Sequence, residues 1–234
     1  MSEYGSAGLA AALAIVAGAA HAAPLQRPVA ASFALSVSSP GQPDIVSRGH
    51  LVLLPAGRAC VRVQAPLRQE MWLTADGATL YYPDRGVRLK LGAAAHQVPP
   101  TLDAVVAALA DPIAALPKGS TLLSQSKEGA AATSVWKVAA AGLGNGGTIA
   151  VTEQPEGLSA LVIRDEKGLL AKRYAFSGRR GAQLPGVITA EHFAHDGTLS
   201  RRELWQLQQA AVAPQGRAGC AEPASGVAVR DVNL

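Results

Sequence analysis

A chain of 234 residues is long enough for one domain with a real core and short for two. Hydrophobic residues make up 49% of it, much of that alanine, and aromatics only 4%, so each Trp and Tyr stands out. The net charge of +4 comes from arginines scattered over turns, such as Arg85, Arg88, Arg179, Arg180, Arg201 and Arg202. A dense basic face with aromatic platforms is missing from the sequence, which argues against nucleic acid as a partner.

Gly8 to Ala20 is an unbroken apolar run, followed by Ala20-His21-Ala22. That pattern predicts a signal peptide over residues 1–22, cleaved after Ala22, and an exported single domain over 23–234. The run is short for a membrane span, although an uncleaved anchor is the alternative. Met1 to Gly5 carries no Lys or Arg, unlike most leaders. Removing residues 1–22 takes away Glu3 and moves the net charge from +4 to +5. In an oxidising compartment Cys60 and Cys220 form a possible disulfide; two buried thiols that never meet are the alternative. The bridge would close a loop of about 160 residues, stabilising by on the order of 4–5 kcal/mol in the chain-entropy model.

Along the mature chain, Ala23 to Ala31 is Pro- and Ala-rich. Ser32 to Ser38 alternates, with Phe33, Leu35 and Val37 on one face, and predicts a half-buried strand. Arg48 to Leu91 then reads as four or five short strands separated by turns, with Asp76-Gly77 between two β-rich runs as a hairpin signal. After Pro99-Pro100 the period changes. Leu102, Val105, Val106, Leu109, Ile113 and Leu116 follow a helical spacing interrupted by Asp111-Pro112, which predicts two short helices. From Leu122 to Val212 the runs are again β-like, with turns at Arg164 to Gly168 and Asp196-Gly197 and a last short run at Gly226 to Val232. The sum predicts a mainly β fold of about ten or eleven antiparallel strands. So large an antiparallel sheet tends to curl, and the short helical insert is expected to cover its concave face.

Few residues point to chemistry. Gly142 to Gly147 matches G-x-G-x-x-G, but a strand-like run follows where a dinucleotide site needs a helix, so no cofactor is expected. His192 and His195 within a strand would face opposite sides, and no Cys or His neighbours the cysteines at zinc spacing, so no metal site is expected. No G-x-S-x-G elbow occurs. Glu191, Glu203 and Asp165 are the acids that could pair for hydrolysis, and nothing in the sequence sets them apart from surface charges. The chain is expected not to be an enzyme.

Three segments resemble a known family. They are Gly49 to Pro55, Arg62 to Pro66, and Thr74-Ala75-Asp76-Gly77-Ala78-Thr79-Leu80-Tyr81-Tyr82-Pro83; Cys220 to Val227 is similar to the same family's closing segment. These resemble the periplasmic outer-membrane lipoprotein carriers of the LolA type and the wider group of lipoprotein-sorting domains. The resemblance spans roughly Phe33 to Val232 and implies an unclosed β-barrel with a helical lid over an apolar cavity. It further implies binding of lipid or lipoprotein acyl chains, transfer toward the outer membrane, an inner-membrane exporter and an outer-membrane acceptor as partners, and a monomer. Two departures mark this chain as divergent. Leu54 stands where those carriers hold an arginine before the proline, and Pro24 to Ala31 replaces their leading amphipathic helix.

The candidate lining of such a hollow is Leu51, Leu53, Val61, Val63, Leu73 and Leu80 on the meander, with the aromatics Trp72, Tyr82 and Trp136. From the insert, Val105, Leu109 and Ile113 complete it. The alternative function is an envelope interaction or sensing domain of the same fold whose core is filled.

Overall fold

In a computed structural model, the described residues are 27–55, 58–74, 77–92, 112–113, 116–140, 144–178, 184–212 and 229–231. A first meander comprises β1 (Val29–Ser38), β2 (Ile45–Leu54), β3 (Arg58–Ala65), β4 (Gln69–Thr74), β5 (Gly77–Tyr82) and β6 (Val87–Gly92). A second comprises β7 (Thr121–Glu128), β8 (Ala131–Ala140), β9 (Gly144–Gln154), β10 (Gly157–Arg164), β11 (Leu170–Ser177), β12 (Val187–Phe193) and β13 (Leu199–Val212). The short β14 (Val229–Asp231) pairs in parallel with β6. All fourteen belong to one sheet, ordered β14-β6-β5-β4-β3-β2-β1-β13-β12-β11-β10-β9-β8-β7.

The count of fourteen corrects the expected ten or eleven. Each turn-bounded run is a strand of its own, down to the six-residue β4, β5 and β6. The turn chemistry explains the breaks. Asp196 accepts hydrogen bonds from the Thr198 amide at 2.9 Å and its hydroxyl at 2.6 Å, and Gly197 takes a φ of 82°. Asp165 does the same for the amides of Lys167 and Leu169 between β10 and β11.

The two meanders join where β1 pairs antiparallel with β13, from Val29 opposite Val212 to Ser38 opposite Arg202. The sheet curls. Leu80 on β5 and Val151 on β9 stand nine strand steps apart, roughly 40 Å if the sheet were flat, yet both belong to one core cluster. The cluster is built from one face of the sheet, including Phe33, Leu51, Leu53, Val61, Leu73, Tyr174, Ile188 and Trp205. The leader read at residues 1–22 lies outside the described residues, as does the helical insert except for Pro112, Ile113 and Leu116. Pro112 is buried, Ile113 packs against the core, and the Leu116 amide donates to the Ile113 carbonyl at 3.1 Å.

Gly49 is required by this curl. It sits opposite Phe33 on β1, at a register shift against β3. A Cβ there would overlap the Arg62 carbonyl oxygen and come within 2.9 Å of the Phe33 ring. Gly49→Ala is therefore expected to destabilise the protein by about 1–3 kcal/mol, the usual cost of overpacking, read as a lower midpoint in urea.

On the opposite face of the sheet, Cys60 and Trp72 are buried side by side as cross-strand partners. Cys60 is disulfide-bonded, and Cys220 is the one other cysteine in the chain. A non-reducing peptide map is expected to show a Cys60–Cys220 link. Cys60→Ser is expected to cost about 2–5 kcal/mol, as for native bridges of small secreted domains.

Candidate functional site

A cavity of about 420 Å³ opens on the concave face, where β1, β2, β3, β4 and β13 come together. Its wall is mostly apolar: Phe33, Leu35 and Val37 from β1, Val61 and Val63 from β3, Met71 from β4 and Trp205 from β13. Phe33 and Trp205 meet with ring centroids 5.1 Å apart and planes tilted by 48°. The cause of the opening lies on β2. Its inward positions run Ile45, Ser47, Gly49, Leu51, Leu53. Leu51 and Leu53 fill the space opposite Ala31 and Val29, whereas Ser47 leaves space opposite Leu35; the place beside Gly49 is taken by the Arg62 carbonyl and the Phe33 ring. Burial along β1 follows: Val29, Ala31 and Phe33 are buried, and Leu35 and Val37 are half-buried.

Of the residues picked from the sequence, Val61 and Val63 border this cavity. Leu51, Leu53, Leu73 and Leu80 lie in the packed core beyond it. Tyr82, Trp136 and Ile113 are half-buried against that core. Trp72 faces the other side of the sheet beside Cys60. Val105 and Leu109 lie outside the described residues. Sequence reasoning missed Met71, Trp205, Arg201 and Glu203 as cavity wall. The spacing of Arg201, Glu203 and Trp205 by two along one strand was the available signal, since it puts all three on one face.

Next to the apolar wall the register assembles polar groups. Arg201 on β13 stands opposite His192 on β12, which stands opposite Lys172 on β11. In the adjoining row, Glu203 stands opposite Ala190, and Ala190 opposite Tyr174. Glu203 is 2% exposed, and its carboxylate is held by Arg201 at 2.7 Å and by the Trp205 indole N–H at 3.3 Å. His192 approaches the same carboxylate at 3.9 Å and meets the Tyr174 ring edge-on at 6.5 Å. Burial, and then the charges of Lys172 and Arg201, press the His192 pKa down to about 4. Burial also lowers the Lys172 pKa, with Glu203 acting against it, and raises that of Tyr174.

The acids considered for hydrolysis do not converge. Glu203 points into the concave face, Glu191 points outward to Arg173 at 2.7 Å, and Asp165 caps a turn. Among the described residues no group of three or more His, Cys, Asp or Glu could hold a metal ion, and no helix is long and apolar enough to cross a membrane.

No family model matches the chain, and no curated protein matches it by sequence. Solved structures do match its fold. A LolA superfamily protein from Nitrosomonas europaea is similar with a TM-score of 0.59 and 11% identity, covering 84% of this chain and 91% of that one. An outer membrane lipoprotein-sorting protein domain from Vibrio parahaemolyticus is similar with a TM-score of 0.55 and 12% identity, covering 82% of this chain and 86% of that one. The resemblance read from the meander thus holds at the level of the fold, with a sequence that has diverged far.

The depressed His192 pKa has a thermodynamic consequence. Below its ordinary value of 6.5, the unfolded chain takes up a proton that the folded protein refuses until about pH 4. Stability is therefore complete above pH 6.5 and falls as pH drops toward 4, by on the order of 3 kcal/mol. Urea midpoints across that window should show the slope, and His192→Phe should remove most of it; an unchanged slope in the variant would assign it to other groups.

Proposed function

We propose that this protein is an envelope carrier that binds an acyl chain of a lipid or lipoprotein in the cavity beside β1 and β2. The observation that carries the reading is an apolar hollow of about 420 Å³ on the concave face of an unclosed sheet. That volume is within the range of small-ligand sites. Each CH₂ moved from water onto such a wall contributes about 0.8 kcal/mol, so several carbons suffice for useful affinity without any chemical step. The fold similarity to LolA-superfamily and lipoprotein-sorting proteins supports the same reading. On it the protein is exported to the periplasm and works as a monomeric binder rather than an enzyme. It takes its cargo from an inner-membrane donor toward an outer-membrane acceptor.

A second reading has an observation of its own. Leu51, Leu53, Leu73 and Leu80 are packed, and Ile113 fills against them, so most of the concave face is solid. An interaction or sensing domain would need no more than this.

One substitution separates the two. Ser47→Leu continues the Leu51 and Leu53 row into the hollow. It is expected to leave the melting temperature equal or higher and to weaken binding of a fluorescent fatty acid by at least about tenfold. If the unaltered protein binds no such probe, and carries no lipid by native mass spectrometry, the filled-core reading stands.

A further inference from the structure

The polar row that reaches the cavity at Arg201 carries two basic side chains, Arg201 and Lys172, beside the one carboxylate of Glu203. The strands lining the hollow from β1 to β4 contribute no titratable side chain to it; their polar lining is Ser47 and Gln69. Among the described residues, the charged groups of this part of the concave face are those of β11, β12 and β13: Lys172, His192, Arg201 and Glu203. Glu153, another buried carboxylate of this face, stands on β9 two side-chain rows away from the Lys172 row. With His192 held neutral at pH 7, two cations face one carboxylate. Glu203 is committed to Arg201 and Trp205. The Arg201 side chain is still 44% exposed at the cavity wall, and a guanidinium carries five donors.

We propose that Arg201 and Lys172, one on either side of His192 in a single cross-strand row, form a subsite for the anionic head of a single-chain amphiphile whose tail lies against Phe33, Leu35 and Trp205. The inference rests on the acyl-binding reading of the cavity and adds the chemistry of the head. Burial of Lys172 favours such a head, because burial outweighs the opposing charge of Glu203 and a second anion adds to that charge. The volume admits one chain of moderate length. A carboxylate and a phosphate share the needed chemistry: negative charge and several acceptor oxygens.

The test uses four amphiphiles of equal chain length: dodecanoate, dodecyl phosphate, dodecanol and dodecyltrimethylammonium. Each displaces a neutral fluorescent probe from the full mature chain below its micelle concentration. The two anions are expected to bind at least about tenfold more tightly than the other two. Lys172→Met keeps the side-chain volume and should bring the anions to within about threefold of dodecanol, with dodecanol itself unchanged. Arg201→Gln should act in the same direction, but it leaves Glu203 buried and unpaired, so Lys172→Met decides if that variant fails to fold. Tighter binding of the phosphate assigns a phospholipid-type head, and tighter binding of the carboxylate a fatty-acid type; both support the subsite. Equal affinity for all four overturns it while leaving acyl binding intact, as does an anion preference that survives Lys172→Met. Binding of none overturns both.

Discussion

The antiparallel pairing of β1 with β13 is the constraint on which the rest of the structure depends. Both meanders are local: each strand pairs with its neighbour in sequence through a short turn. The β1–β13 contact alone brings residues about 170 positions apart into register, and its loop-closure cost must be met by what the pairing buries. The return is concentrated on one face. Phe33 packs at a tilt against Trp205, Leu207 lies opposite Phe33, and all three are nearly inaccessible to water. Fully burying side chains of this size contributes about 1.5–3 kcal/mol each. Without this pair the chain would be two separate ribbons, each with a naked apolar face.

The same pairing explains why polar groups are buried at all. β13 carries Arg201, Glu203, Trp205 and Leu207 on one face, so docking the apolar end of the strand drags the charged end inward. A buried carboxylate is costly unless paired and hydrogen-bonded. Glu203 meets that condition with Arg201 and the Trp205 indole. Ala190, fully buried between Glu203 and Tyr174, keeps the row low enough for the larger side chains on either side to share the space. The wall of the hollow is therefore apolar toward β1 and charged at Arg201 and Glu203 on β13. That is the division expected for a ligand with a tail and a head.

Much of this was legible in the sequence, and the boundary falls at sequence separation. The Phe33, Leu35, Val37 alternation, the Asp-Gly turn at Asp196 and the short runs between Arg48 and Leu91 are local signals, and each corresponds to an observed strand or turn. The total fell short of fourteen because every short turn-bounded run, down to the six-residue β4, β5 and β6, is a strand of its own. What local pattern cannot carry is which strand lies beside which. Leu51, Leu53, Leu73 and Leu80 read as inward-facing, and they are. Whether an inward side chain meets another side chain or an empty volume depends on the residue opposite, and that depends on long-range register. Trp72 shows the opposite limit: its burial was anticipated, but its face is set by alternation with Met71 and Leu73, which puts it beside Cys60.

The distinction between core and cavity reduces to a few positions on β2. Where β2 offers leucine, the concave face is solid; where it offers Ser47, the face is hollow. Gly49 cannot be enlarged, because the β3 backbone and the Phe33 ring already occupy the place of its Cβ. Ser47 is under no such constraint, since it is half-buried beside open volume. A larger apolar residue there would bury more surface and complete the core at no evident steric cost. A small polar residue at a position where a leucine would stabilise the fold is the mark of a site kept open for something other than the chain itself. On the proposed reading, the arginine and lysine beyond it set the charge of that occupant's head.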